Sequence, residues 1–530
     1  MKLPAHETRL FCTTGPASES PQVLRQILWA DMSAARLDFS PDDLDAHKRA
    51  IENLHAASAA ERHSARDPHT KRRTVVEKRE SRRRSAPSVA VWLTTADRRA
   101  LFQRQAEDLR FAAGAGDLAA INVDDSQVFQ PIEGFGFSLT GGSAQLISRV
   151  PNAARRALLR ELFATKGKGI GVSFLRLTIG ASDLSERCFS YDDRPDGQDD
   201  FELACFDIEA GDREVIPLLR EILAVNPGLK IIATPWSAPA WMKTNRAFIG
   251  GRLRPECEGA YAAYLVKYLK AMRERGIVIH AITPQNEPLN QKNDPSMGME
   301  ATQQARFIGR HLGPALQEAG LADVELFCWD HNCDRKDYPL AVFADDDARR
   351  YLKGSAWHLY AGDISALSDV HRAYPDMKLY FTEQWVGADG EFAGDLRWHA
   401  RNVLIGSLRN WSRVVLEWNL ASDPGCGPHT PGGETRCVGA LTVGDGLARN
   451  VAYYVIAHAA KFVRPGSVRV YSDELASLPN VAFRTPAGQV VLIALNDSGG
   501  PQSCNIRYQG KQALAMLPPG AVATLVWRAS

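Results

Sequence analysis

A chain of 530 residues with a formal net charge of +1 is long enough for more than one domain, and its charge balance gives no reason to expect a polyanionic partner. No run reaches the roughly 18 apolar residues of a membrane-spanning helix, and residues 1–15 lack the apolar core of a secretory signal, so a cytoplasmic location is the default expectation. The nine cysteines are odd in number and scattered, which excludes a disulfide framework, although Cys426 and Cys437 are near enough to pair within one loop.

Residues 1–84 differ in character from the remainder of the chain. Pro41 to Ala60 has a helical pattern. Lys71 to Arg84 then carries eight Lys and Arg against Glu77 and Glu80. Such a run is the mark of a solvated tail or linker, with a weak anionic-surface contact as the binding role open to it. From Ser88 to Thr95 the alternation is that of a strand, and residues 85–118 are expected to supply the first part of a β-sandwich.

Residues 119–465 alternate strand and helix eight times. The expected strands are Ile132–Ser138, Val172–Thr178, Lys230–Thr234, Ile277–Thr283, Val324–Trp329, Ser355–Leu359, Lys378–Thr382 and Val414–Trp418. Amphipathic stretches such as Asn152–Phe163, Glu258–Arg275 and Ala301–Ala319 lie between them. Eight β-then-α units predict a (β/α)8 TIM barrel, class α/β; a doubly wound open sheet is the alternative, but no Gly-rich phosphate loop follows the first strand. Residues 466–530 then read as short strands between turns, so the sandwich is expected to be antiparallel and built from both chain ends.

A barrel places its active site at the C-terminal strand ends. Those ends are rich in Asp, Glu, Asn, His and Trp, whereas the strand bodies are apolar. Glu287 ends the fourth strand and Glu383 the seventh, across the mouth from each other. Two facing carboxyls can cleave a glycosidic bond, one as a protonated acid and one as an ionised nucleophile, with retention when they are about 5–5.5 Å apart. Neither a metal nor an organic cofactor is needed for that chemistry. Asp330 and His331, at the end of the fifth strand, are catalytic in type but are read as supporting residues.

Seven ordered motifs sharpen this. They are Gly134-Phe-Gly136, Arg176 to Asp183, Thr234 to Asn245, Gln285-Asn-Glu-Pro288, Gly354 to Tyr360, Phe381-Thr-Glu-Gln-Trp385 and Trp418-Asn-Leu420. With them the stretch from Ser88 to Trp527 resembles glycoside hydrolase family 30, which includes the glucosylceramidases and whose members are often exported. The resemblance implies that Glu287 is the acid/base and Glu383 the nucleophile, with Arg176 supporting the latter. It implies that Asn286 bonds the sugar 2-hydroxyl, that His358 and Tyr360 surround the nucleophile, and that Asp183, Trp236 and Trp418 hold the sugar. The implied substrates are β-glucosides, glucosylceramide-like lipids or β-gluco-oligosaccharides, with β-1,6-glucan or β-xyloside cleavage and non-catalytic carbohydrate binding as alternatives. One departure stands out: Leu139-Thr140-Gly141-Gly142 has glycine where many members carry a sugar-binding acid after Thr. The loop from Ser422 to Val438 is expected over the aglycone side.

Overall fold

The computed structural model describes residues 88–529, apart from 115–117, 196, 210 and 212, together with three backbone segments, 10–14, 32–37 and 75–77. Eight strands close into a barrel: β1 (Gly134–Leu139), β2 (Phe174–Ile179), β3 (Lys230–Pro235), β4 (Ala281–Ile282), β5 (Glu325–Asn332), β6 (Leu352–His358), β7 (Lys378–Glu383) and β8 (Ser412–Asn419). Each pairs in parallel with the next, and β8 closes on β1. The doubly wound alternative is thereby excluded.

β4 is much shorter than expected. Residues 277–280 are spent leaving the turn at Gly276, whose φ is 78°. His280 still donates its N–H to Ile231 and accepts from Glu325, so the wall has no gap there. Gly136 is where β1 meets β2 most closely. A Cβ at that position would lie 1.8 Å from the Phe174 carbonyl oxygen, which explains the Gly-Phe-Gly sequence in physical terms.

The barrel interior is layered. At the bottom, Glu133 accepts from Lys230 (2.8 Å) and the Tyr380 hydroxyl (2.8 Å) and pairs with Lys378 (3.0 Å). Above lies an apolar layer including Phe174, Ile232, Phe327, Ala356 and Leu416, all buried. The polar residues of the mouth sit on that floor.

The second sheet draws on both flanks of the barrel. Ser88–Thr94 pairs with Val522–Arg528, and Ala120–Pro131 pairs with Val468–Ser472 and, in parallel, with Gln502–Tyr508. The barrel therefore does not begin at residue 119. The 12-residue strand Ala120–Pro131 belongs to the sandwich sheet, and its polar centre, Asp124-Asp-Ser126, breaks the alternation that would mark it in sequence. Lys511–Leu517 is also a strand. Its exposed Leu514 and Met516 blur the same signal.

The helical stretch expected over Ala301–Ala319 contains a wider π-type turn at Ile308–Leu312, and the helix Phe392–Trp398 runs into another at His399–Gly406. Among the described residues no helix is long and apolar enough to cross a membrane. In the separate N-terminal unit, Leu10–Thr14, Met32–Leu37 and Val75–Glu77 pair in parallel. The helix expected at Pro41–Ala60 lies outside the described residues, as does the run 71–84 except Val75–Glu77.

Barrel and sandwich are joined through His458 on the helix Val451–Ala460. The fully buried imidazole lies between two sandwich hydroxyls, Thr524 Oγ1 at 2.8 Å from Nδ1 and Thr94 Oγ1 at 2.9 Å from Nε2. Because Thr524 donates its own hydrogen to the His458 carbonyl, Nδ1–H donates to Thr524 and Nε2 accepts from Thr94. Burial holds this histidine's pKa down to about 3. The folded state thus keeps it neutral where the unfolded chain, with a histidine pKa of about 6.5, binds a proton. Stability is expected to fall by about 1.4 kcal/mol per pH unit from this group as pH drops from about 6.5 toward 3. Urea melts of wild type and His458→Asn across that range test it; the variant should be weaker at neutral pH yet lose less on acidification, and equal slopes would contradict the assignment.

Candidate active site

Arg176, in the middle of β2, projects into the barrel with no solvent exposure. Its Nη1 meets Glu383 Oε2 at 2.5 Å, and its Nη2 donates to Asp330 Oδ2 (2.9 Å) and Asn286 Oδ1 (2.6 Å). The guanidinium also lies under the rings of Trp236 (4.7 Å) and Trp418 (5.5 Å). Since Arg only donates, the oxygen of the Asn286 amide faces it and the NH2 remains for another acceptor.

Asp330 is the acceptor around which the layer is built. Oδ2 also accepts from Thr234 (3.1 Å) and Thr283 (2.8 Å), while Oδ1 accepts from Thr382 (2.7 Å) and meets His358 Nε2 at 3.1 Å. A bulge in β5 turns it inward. Trp329 and Asp330 have φ of 74° and 68°, and the register with β6 shifts between Trp329 and His331. Glu287 is also left-handed, with φ of 44°. Its N–H donates to the Asp330 carbonyl, so the two unfavourable conformations brace each other.

Glu287 and Glu383 are both more than nine-tenths buried. One oxygen of each and one His358 ring nitrogen all lie within 4.8 Å of one another. Glu287 Oε1 meets His358 Nδ1 at 3.2 Å, and Oε2 accepts from Asn290 at 2.8 Å. Glu383 Oε1 accepts from the Tyr360 hydroxyl at 3.0 Å. Tyr360 is in turn placed by its N–H bond to Asn332.

The charges are unequal in effect. Burial raises Glu287, but the His358 hydrogen bond and the positive fields of His331 and His358 outweigh it and bring its pKa to about 2. Burial pulls His358 down, yet the charge of Glu383 and the bonds to Asp330 and Glu287 raise it to about 9. Burial pushes Glu383 above its usual value, with His358 and Arg176 opposing. These opposed shifts, Glu287 downward and His358 upward, favour a cationic His358 beside an ionised Glu287.

Of the residues singled out from sequence, Glu287, Glu383, Asn286, Arg176, His358 and Tyr360 converge. Asp183 lies close by: burial, then the charges of Glu383 and Glu287, push it up to about 8, and its Oδ1 makes no hydrogen bond within the protein. Trp236 and Trp418 stack on each other at 5.2 Å and 24° and are only 1% and 4% exposed. One ring lies against the other, and Arg176 lies close to both. Asn290 and His331, whose Nε2 lies 3.8 Å from Glu287, were not assigned contacts from sequence. Asn290 has no signal beyond standing three residues after Glu287.

Thr140 caps the helix Gly141–Arg149 by accepting from the Ser143 N–H, and it also reaches Asn419. The adjacent Gly142 is obligatory, because a Cβ there would lie 2.6 Å from the Leu184 carbonyl oxygen and 3.1 Å from that of Pro428. The loop after β8 is tied to its neighbours. Thr430 bonds the backbones of Asp183 and Asp294, Gly432 donates to the Asp294 carboxylate, and Cys437–Val438 pairs with Val386–Gly387. Cys426 and Cys437 are both free thiols, so the pairing considered for them is not formed.

Residues 132–463 match the glycosyl hydrolase family 30 TIM-barrel domain and residues 466–525 the family 30 β-sandwich domain. An endo-1,6-β-D-glucanase of Neurospora crassa is 37% identical over 371 residues, 67% of this chain and 75% of that protein. The lysosomal acid glucosylceramidase of Mus musculus is 27% identical over 445 residues, 77% and 83% of the two chains. A solved endo-β1,6-glucanase superposes with a TM-score of 0.77 at 31% identity, covering 84% of this chain and all of the other. Matched in both domains and across the strand ends that carry the buried carboxyl pair, the protein belongs to glycoside hydrolase family 30.

Proposed function

We propose that the protein is a retaining glycosidase that cleaves β-1,6-linked glucan. The observation that carries the mechanism is the pair of buried carboxyls with oxygens within 4.8 Å, near the roughly 5–5.5 Å of double displacement and well short of the roughly 6.5–9.5 Å of inversion. The linkage rests on the endo-1,6-β-glucanases, at 31–37% identity. Relatives named glucosylceramidase, at 27–28%, support glucosylceramide-like lipids as a second reading.

In this reading Glu383 attacks the anomeric carbon. Arg176 balances its charge and the Tyr360 hydroxyl donates to it, each holding one oxygen, so that its lone pair is aimed. Glu287 protonates the departing oxygen and then takes the proton of the attacking water. Asn286, its oxygen held by Arg176, donates its NH2 to the sugar 2-hydroxyl, a bond that strengthens as the oxocarbenium ion forms. Asp183 offers its unbonded oxygen to a further hydroxyl, and the Trp236–Trp418 stack holds Arg176 and the subsite wall in place.

Glu383→Gln is expected to abolish turnover. Glu287→Gln should lower kcat by about 10²–10⁴-fold on glucan while retaining more activity on aryl glucosides with activated leaving groups; full glucan activity in either variant would sink the assignment. The first product seen by proton NMR should be the β anomer, and α product appearing first would refute double displacement. Given soluble β-1,6-glucan, aryl β-glucosides, aryl β-xylosides and glucosylceramide in micelles, the enzyme should act best on the glucan; hydrolysis of the lipid with the glucan untouched would select the second reading.

A further inference from the structure

The imidazole of His358 is buried at the end of β6 with a carboxyl group at each nitrogen. Nε2 lies 3.1 Å from Asp330 Oδ1 and Nδ1 lies 3.2 Å from Glu287 Oε1. Asp330 is fully buried, below the carboxyl pair of the cleft, and its remaining bonds come from donors, namely Arg176, Thr234, Thr283 and Thr382. Those donors and the Arg176 charge hold Asp330 well below the usual carboxylate range, so it stays ionised and Nε2 must carry a hydrogen. The proton that is free to move is the one on Nδ1. Its hydrogen-bonding partner is Glu287, since Glu383 Oε1 is 3.9 Å away.

We propose that Asp330, His358 and Glu287 form a proton-sharing relay, in which His358 Nδ1 stores the proton that Glu287 delivers to the leaving group. This rests on Glu287 being the acid/base. Asp330 is a positioning residue: it fixes the ring and keeps the store charged. In the first step the Nδ1 proton passes to Glu287 and Glu287 protonates the glycosidic oxygen. The C1–O bond breaks as the Glu383–C1 bond forms, leaving His358 neutral and Glu287 ionised. In the second step water attacks C1, the Glu383–C1 bond breaks, and the water proton returns through Glu287 to His358. Each turnover thus consumes one water and restores the starting charges.

The groups facing the ring are consistent with a store that stays filled at neutral pH. Asp330, Glu287 and Glu383 supply negative charge. Tyr360 and His331 rings lie 6.1 and 6.3 Å away, and Arg176 acts from behind Asp330. Burial opposes the cation, yet the carboxylates prevail, and the ring's pKa lies near 9. Because the proton belongs to the pair, the basic limb of activity should report His358 and Glu287 together.

The test compares pH profiles of kcat/KM on β-1,6-glucan. Asp330→Asn should move the basic limb to lower pH by about one unit or more, as expected when a neighbouring opposite charge is removed. Histidine NMR of 15N-labelled wild-type enzyme keeps the question open to measurement even if that variant fails to fold. The His358 signal, assigned by its loss in His358→Gln, should show both ring N–H groups at neutral pH and lose Nδ1–H with the midpoint of the basic limb. A ring that stays neutral throughout the active range, or an unmoved basic limb in folded Asp330→Asn, would overturn the relay. Undiminished glucan activity of Glu287→Gln would instead overturn the acid/base assignment beneath it.

Discussion

A guanidinium with no exposure to water lies at the centre of this barrel, and the architecture of the mouth follows from compensating it. Arg176 is fully buried, with Trp236 and Trp418 against its guanidinium. A buried charge is tolerated when its charge is matched and most of its hydrogens are bonded, here those of Nη1 and Nη2 while Nε has no hydrogen-bond partner, and removing one partner of such a pair costs about 3–5 kcal/mol. Asp330 and Glu383 provide the match, and Asn286 takes a further N–H. The Arg176 requirement thus fixes Asn286, in the segment after β4, Asp330 of β5 and Glu383 of β7 relative to β2.

Rigidity has a local cost. Trp329, Asp330 and Glu287 all sit in a left-handed backbone region that side-chain-bearing residues seldom adopt, at about 1–3 kcal/mol each. Five donors on Asp330 and the backbone bond between Glu287 and Asp330 hold the conformation in place. Three of the left-handed residues thus stand together where two carboxyls are aimed at one point, and the loops above carry others, at Leu203, Arg246 and Cys426. Asp294 links the segment after β4 to that after β8 and accepts from Cys188 of the segment after β2.

Much of the layer was legible in the chain. Eight strand-then-helix alternations announce a barrel because apolar strand bodies must bury on both faces. Polar strand ends announce the mouth because only there does the interior open to solvent. Glu287 and Glu383 stand out for that reason, whereas Asn286 and the mid-strand Arg176 are expected only through the resemblance to glycoside hydrolase family 30. Less legible was anything depending on two-sided or interrupted patterns. The strand Ala120–Pro131 hides behind Asp124-Asp-Ser126, and Lys511–Leu517 carries apolar residues on its exposed face. β4 is short because a turn consumes residues that have every compositional mark of a strand.

The sequence by itself determined the fold class, the polar rim of the barrel mouth and the two acids expected there, because hydrophobic periodicity and strand-end composition are local properties. Tertiary structure decided the rest. That Asp330 faces inward depends on a bulge, that His358 bridges two carboxyl groups depends on β4, β5 and β6 meeting in register, and that Trp236 and Trp418 cover Arg176 depends on strands far apart in the chain. Such relations are set by packing and by the need to pair every buried charge, and no spacing along the chain encodes them.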